Sequence, residues 1–266
     1  MYQTMRWIRY SVDNRVGFGT LRDNVIEEYE GDMFGYSTNT GKTIGLYSVK
    51  VETPCVPSKM IALWNNSRAV ASAQNLEVPT EPLFFLKPPN CFLAHDAVLK
   101  TPISGASRVL YEGELGIVIG KSCKDISHED AGLAIFGYTC VNDLTALSLL
   151  QAEAGFMHWS RAKGLDGFGP FGPVIATGLD PSGLVVRTHV NGRQRQSYSA
   201  SDFILKPDAI VSLVSRGMTL LPGDVIACGT STGAGPIPKE GAVDVEIDGI
   251  GVLRTHFRGV REDNPT

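Results

Sequence analysis

The sequence predicts an α+β chain built mainly from short β-strands. Three observations carry that expectation. The 266 residues include 29 Gly and 15 Pro, about one residue in six, which demands many turns and suits a strand-rich protein better than a helical bundle. Two hairpins are explicit. Asn191-Gly192 separates residues 185–190 from a run starting at Arg193, and Asp248-Gly249 follows a stretch in which Val243, Val245 and Ile247 alternate with Asp244, Glu246 and Asp248. Apolar runs are also short and firmly stopped, as where residues 83–86 meet Lys87-Pro88-Pro89.

Taken in order, residues 7–10, 16–21 and 25–28 read as strands broken by Gly and Asp. Residues 31–42, rich in Gly, Thr and Asn, read as loop. Together they suggest a small β appendage over residues 1–55, ahead of a main body over residues 56–260. Residues 59–63 and 83–86 are the first strands of that body, and residues 109–121 form a long β-like stretch. Ser127 followed by Asp130 resembles a capping box and starts a helix over residues 128–135. Residues 138–143 read as a strand, residues 144–154 as a helix, and residues 208–215 as a helix with one apolar face. There is no internal repeat of fixed period.

Charge and composition exclude several functions. With 24 Lys+Arg against 28 Asp+Glu, the net charge of −4 offers no basic stripe for nucleic acid. No run approaches the roughly 20 apolar residues that span a bilayer. The polar, aromatic start lacks the apolar segment of a secretory signal, so a cytoplasmic protein is expected. The five cysteines, Cys55, Cys91, Cys123, Cys140 and Cys228, are widely spaced, and none forms a C-x-x-C. They read as buried free thiols rather than disulfides or zinc ligands.

The most informative stretch is Arg108-Val-Leu-Tyr-Glu-Gly-Glu-Leu-Gly-Ile-Val-Ile-Gly-Lys121. Alternation along a strand places Glu112, Glu114 and Leu110 on one face and Tyr111 on the other. Glu-x-Glu is either a solvated strand face or a pair of hard oxygen ligands whose repulsion a divalent cation relieves. Asp143, at the end of the strand over 138–143, is either a third ligand or the N-cap of the following helix.

Beyond Glu112-x-Glu114, the chain carries Gly137-Tyr138-x-x-x-Asn142-Asp143-x-Thr145-Ala146 and Lys163-Gly-Leu-Asp166-Gly-Phe168-Gly-Pro170. Val190-Asn191-Gly192, Leu221-x-Gly223-Asp224 and Gly229-Thr230 follow. In this order, over roughly residues 59–258, the set resembles the fumarylacetoacetate hydrolase family, and the first ~55 residues resemble an N-terminal extension of some bacterial members. The small members it is similar to are of the 2-hydroxyhepta-2,4-diene-1,7-dioate isomerase and 5-oxopent-3-ene-1,2,5-tricarboxylate decarboxylase type. The resemblance implies a mixed, curved sheet rolled into a barrel-like β-sandwich and a homodimer. It also implies Mg²⁺ or Mn²⁺ on Glu112, Glu114 and Asp143, and a small 2-oxo acid chelated by that metal. Lys163 then stabilises the developing enolate or the substrate carboxylate. Thr230 hydrogen-bonds the substrate, and Lys87 either lies at the substrate entrance or is structural.

Two departures bear on the reaction. Hydrolytic members carry an Asn-Tyr-x-x-His-x-x-Glu lid whose His–Glu pair activates water. Here Arg68 takes the His place, where it is expected to contact substrate, and Ala71 takes the Glu place; neither acts as a base at neutral pH. None of the five histidines falls in the lid stretch, and His158, close before Lys163, is the one nearest a candidate catalytic residue. After Asp143, where an Arg is usual, the chain has Leu147, Ser148 and Leu150, so the distal pocket is expected to be less anionic in its preference. These losses favour isomerase or decarboxylase chemistry on a 2-oxo or 2-hydroxydienoic acid over C–C hydrolysis of an acylpyruvate. A catalytically impaired binding protein is the remaining alternative.

Overall fold

The computed structural model describes residues 4–259 apart from residues 102 and 104, so the expected end of the body at residue 260 lies outside the described residues. Strands dominate, in three sheets. The largest runs in the spatial order Ser37–Gly45, Val25–Gly31, Arg15–Arg22, Met5–Val12, Gly169–Thr177, Ile135–Asn142, Gly113–Ile119, Val225–Ala227, Met60–Trp64, Leu83–Lys87. The N-terminal meander is therefore not a detached module. Its first strand pairs antiparallel with Gly169–Thr177, Trp7 opposite Ile175, and prolongs the sheet of the body. A second sheet, in the order Arg193–Ser199, Val185–Val190, Gly241–Ile247, Gly251–Gly259, Ala97–Thr101, packs across it.

The core follows from alternation. Leu115, Ile117 and Ile119 point to one face of the central strand and meet Val186, Val245, Ile247 and Leu253 of the second sheet, all fully buried. Gly116 and Val118 point to the other face. There Val118 packs with Met60, Ala62, Val141, Phe171 and Val225. Every residue of Gly113–Ile119 is buried, because this strand has neighbours on both edges and cover on both faces. The arrangement is a sandwich of open sheets. Among the described residues the sheet ends at Ser37–Gly45 and Leu83–Lys87 without joining, so the barrel-like element of the expectation is not a closed barrel.

Local differences from the sequence reading have physical causes. Residues 31–42 were expected as loop, yet Ser37–Gly45 is a strand hydrogen-bonded to Val25–Gly31, with Asn39 opposite Tyr29. It is a mostly exposed sheet edge, so its composition shows no apolar alternation. The helix expected over 144–154 shrinks to Leu147–Leu150, because Thr145–Ala146 pairs with Val109–Tyr111 and surrenders its backbone groups to a sheet. The helix starting at Ser127 ends after His128–Ala131 and a single 3₁₀ turn, Gly132–Ala134. All five cysteines are free, and all but Cys123 are buried. No helix of the described residues is long and apolar enough to cross a membrane.

Candidate metal centre and active site

Three structural events bring the acidic residues together. Glu112 sits in the break between Val109–Tyr111 and Gly113–Ile119, and Glu114 lies inside the second of these strands. Asp143 directly follows Ile135–Asn142, the antiparallel neighbour of that strand, and its N–H donates to the Glu112 carbonyl at 2.9 Å. One carboxylate oxygen from each of Glu112, Glu114 and Asp143 lies within 4.8 Å of the other two. The N-cap reading of Asp143 does not hold, since the next helix starts at Leu147 behind an Ala146 cap.

Two buried lysines balance the three acids. Lys163, the last residue of the short helix Trp159–Lys163, places Nζ 2.5 Å from Asp143 Oδ2 and 3.1 Å from Glu112 Oε2. Lys87 Nζ approaches Asp143 Oδ1 at 2.6 Å and donates to the Lys163 carbonyl at 2.8 Å. Of the two readings of Lys87, substrate entrance or structural, the geometry fits the structural one, and its place among the substrate-binding residues is corrected. Its side chain is fully buried behind Asp143, and it tethers the end of the Lys163 helix. Thr145 donates its hydroxyl proton to Glu112 Oε1.

The electrostatics are uneven. Burial drives the Glu114 carboxyl well above the ordinary range, and the neighbouring Asp143 and Glu112 charges add to it. Glu112 is also raised, first by burial, with Lys163 pulling against it. Burial would raise Asp143 too, but the Lys163 and Lys87 ammoniums outweigh it and hold this carboxyl below the usual value. Lys163 is the mirror case. Burial would lower it, while Asp143 and Glu112 keep it above the ordinary lysine range and therefore charged.

Glu114 supplies the test of whether a cation fits. Its Oε2 accepts the Gly229 N–H at 2.8 Å, whereas its buried Oε1 has no hydrogen-bond partner. A buried carboxylate oxygen left unpaired beside two further carboxylates is costly in water-free surroundings and is satisfied by a hard cation. Three carboxylates against two ammoniums leave one net negative charge. The donor set is all oxygen, which suits Mg²⁺ or Mn²⁺ and not a thiolate-seeking metal.

Glu112 is the one acid of the cluster that lines a cavity of about 410 Å³, together with Thr145, Lys163 and Thr230, with Leu147, Leu150, Trp64, Phe85 and Trp159 beyond them; Glu114 and Asp143 lie fully buried behind it. Thr230 stands on a Gly-rich loop after Val225–Ala227. Its hydroxyl donates to the Gly113 carbonyl at 3.0 Å and accepts from Gln196 Nε2 at 3.0 Å. Gly229 has φ +92°, and an added Cβ would lie 3.2 Å from Asn66 Cβ and 3.3 Å from the Leu63 carbonyl, so this approach to Glu114 requires glycine. The lid stretch is the helix Arg68–Gln74, N-capped by the Ser67 hydroxyl. It turns Val70, Ala73 and Gln74 to the cavity. The substrate-binding expectation for Arg68 is corrected, because its side chain is exposed and does not line the cavity. His158 also lies outside the lining and sits edge-on to Phe156, with ring centroids 4.7 Å apart.

Sequence reasoning missed Gln196. It is buried on Arg193–Ser199, accepts from the Gly113 N–H at 3.1 Å, and donates to the Ser231 carbonyl at 3.0 Å as well as to Thr230. It thereby ties the second sheet to both sides of the acidic cluster. One of two glutamines in a largely exposed polar strand gives no signal of this. Asp224, by contrast, stood in a quoted motif. Its buried carboxylate accepts from the N–H groups of Ser58, Lys59 and Leu221 at 3.0, 3.2 and 2.9 Å and pairs with Lys59 Nζ at 2.5 Å, anchoring the entry to the body rather than the site.

Comparison with known proteins agrees with the geometry. The family model described as fumarylacetoacetate (FAA) hydrolase C-terminal matches residues 59–258, and one described as Rv2993c-like, N-terminal, matches residues 5–54. The chain belongs to the fumarylacetoacetate hydrolase family. It is 39% identical over 222 residues to the oxaloacetate tautomerase YisK of Bacillus subtilis, covering 78% of this chain and 73% of that one. A solved structure of 2-hydroxyhepta-2,4-diene-1,7-dioate isomerase from Mycobacterium marinum superimposes with a TM-score of 0.86 at 35% identity, covering 97% of this chain and all of that one. Maleylpyruvate hydrolase from Sphingobium sp. SYK-6, solved with manganese(II) and pyruvate, superimposes with a TM-score of 0.76 at 26% identity over 97% of this chain and 100% of that one. The fold is thus shared by isomerases, tautomerases and hydrolases, and the reaction has to be read from the site.

Proposed function

We propose that this chain is a divalent-metal-dependent isomerase or decarboxylase of a 2-oxo or 2-hydroxydienoic acid, working through an enolate. Glu112, Glu114 and Asp143 would hold Mg²⁺ or Mn²⁺, a choice supported by the orphaned Glu114 oxygen and by the manganese in the Sphingobium neighbour. Such a cation, when bound, supplies Lewis acidity toward a carboxylate and its adjacent oxygen.

The chain's own residues supply the rest. Lys163 stays protonated between two carboxylates and faces the cavity, so it offers positive charge to a developing enolate rather than acting as a base. Thr145 and Lys163 fix the two oxygens of Glu112, and Lys87 and Lys163 fix those of Asp143, so the acidic cluster is oriented before substrate arrives. Gln196 and Thr230 brace the loop beside Glu114. Val70 and Ala73 on the lid side help to exclude water.

One observation carries the choice of reaction. The helix Arg68–Gln74 shows the cavity Val70, Ala73 and Gln74, none of which titrates near neutral pH. Among the described residues the lining contains no histidine and no carboxylate other than Glu112. Hydrolysis of a C–C bond needs a base to activate a positioned water. Loss of CO₂ needs no such base, and movement of a proton along an enolate needs only a carrier that takes it from one atom and returns it at another, which a water in the cavity could provide. The test supplies the Mg²⁺-loaded protein with a 2-oxo acid as its enol and, separately, with an acylpyruvate. Accelerated enol-to-keto conversion or CO₂ release, without pyruvate formation from the acylpyruvate, is expected. Rapid, stoichiometric cleavage of the acylpyruvate to pyruvate and a carboxylic acid would overturn the assignment in favour of a hydrolase.

A further inference from the structure

The outer part of the cavity has its own chemistry. The paired strands Met60–Trp64 and Leu83–Lys87 carry Trp64 and Phe85 on one face, with Ala62 opposite Phe85 and Trp64 opposite Leu83. Trp159, at the start of the Lys163 helix, stacks on Phe85 with centroids 5.0 Å apart and planes 9° from parallel, and its centroid lies 6.1 Å from that of Trp64. Leu110, Leu147 and Leu150 add aliphatic surface. This surface begins beside the catalytic charge, since Lys163 Nζ lies 4.9 Å from the Phe85 ring centre.

Charge is the deciding feature. Among the described lining residues Lys163 is the one cation, and its ammonium is already shared between Asp143 and Glu112. A substrate carboxylate at the head can be met by the cation site and Lys163. A second carboxylate, at the far end of a dioate, would find no counterion there, because the polar residues of the lining beyond the head site, Asn65, Gln74, Ser231 and Thr232, are all neutral, and it would lose much of its hydration against the rings and leucines. A flat, uncharged group gains contact with three aromatic rings instead.

We propose that the substrate is a 2-oxo or 2-enol monocarboxylic acid whose group beyond the oxo carbon is uncharged and flat, such as an aryl or conjugated acyl tail, and not a dicarboxylate. This rests on the metal-chelated head group proposed above, assigns the tail, and narrows the reaction to isomerisation, since loss of CO₂ to leave an enolate would need a second carboxylate on the carbon beside the oxo carbon. The leucines at 147 and 150 and the rings at 64, 85 and 159 then determine specificity.

The test is calorimetric titration of the Mn²⁺-loaded protein with oxalate, which carries the head alone, with phenylpyruvate, and with 4-carboxyphenylpyruvate, which differs only by a terminal charge. Oxalate should bind only when Mn²⁺ is present. Phenylpyruvate should bind at least tenfold tighter than its carboxylated analogue. Trp159→Ala should weaken phenylpyruvate at least tenfold with oxalate unchanged, and Leu147→Arg should narrow or reverse the preference. Metal-dependent oxalate binding together with equal or tighter binding of the carboxylated analogue overturns the tail assignment and leaves the head-group reading intact. Absence of oxalate binding in the presence of Mn²⁺ overturns the head-group reading, and the tail assignment falls with it.

Discussion

Substituting Glu114 by Gln should change stability in opposite directions with and without metal. In the metal-free protein the buried Glu114 carboxylate faces two others, with ligand oxygens no more than 4.8 Å apart. At an effective dielectric of about 20, each such pair costs about 3 kcal/mol. Lys163, Lys87 and partial protonation of Glu114 offset most of this, so a net gain on the order of 1 kcal/mol is expected from the neutral amide. The Gln oxygen can still accept the Gly229 N–H, which preserves the local fold. With metal at 100 times its Kd the wild type gains about 2.7 kcal/mol. At roughly 2–4 °C per kcal/mol for a chain of this size, that is a rise of about 5–11 °C in Tm. E114Q should show little of it. Thermal unfolding with chelator and with Mn²⁺ therefore should show the two curves change order, the variant higher without metal and the wild type higher with it. An undiminished metal-induced rise in E114Q would remove Glu114 from the ligand set. A variant several kcal/mol less stable without metal would show that the carboxylate is a structural anchor and not a strained ligand.

Three further outcomes follow from the same geometry. Lys163→Met should retain or strengthen Mn²⁺ binding, because a positive charge 2.5 Å from Asp143 is removed, while turnover falls by about 100-fold or more; a full-speed variant would exclude Lys163 from catalysis. In metal-free protein the raised Glu112 and Glu114 give stability that is fully present below the ordinary glutamate value of 4.5 and is lost as pH rises through their higher folded values. The lowered Asp143 works oppositely, giving stability present above 3.8 and lost as pH falls through its lower folded value. Denaturant titrations across pH should thus show a downward slope above 4.5 that E114Q flattens, and a slope unaffected by E114Q would argue against its raised pKa. Asp224→Ala strips three part-buried N–H groups and the Lys59 ammonium of their buried acceptor and should cost about 3 kcal/mol, read from the urea midpoint, against less than about 1 kcal/mol if the carboxylate were merely solvated.

Much of the scaffold is legible locally because each strand's pattern records which face is covered. Val243, Val245 and Ile247 are fully buried, while Asp244 and Glu246 between them are only partly so, and the Asn191-Gly192 turn joins the strands its dipeptide implies. The acidic cluster is legible for the same reason: period two puts Glu112 and Glu114 on one side, and the antiparallel neighbour delivers Asp143 to it. What is hidden depends on distant partners. Lys87 carries the same local signature as any strand-ending lysine, and only the approach of Asp143 and the Lys163 carbonyl explains its burial. Gln196 reads as one more polar residue in an edge strand until the Gly113 and Thr230 segments close on it. The short helix Trp159–Lys163 spans five residues, too few for periodicity to register, and it is held by tertiary contacts such as the Phe85–Trp159 stack. Strand Ser37–Gly45 lacks apolar alternation because neither face is well covered.

In the proposed function Glu112, Glu114 and Asp143 together hold a divalent cation on which a 2-oxo acid is gripped. Crystals soaked in Mn²⁺ and oxalate, measured for manganese anomalous scattering, test it most directly. One anomalous peak per chain among these three carboxylates is expected, with oxalate bound to it on the side of Lys163. A peak elsewhere with none at this cluster, or oxalate seated away from the metal, would contradict it.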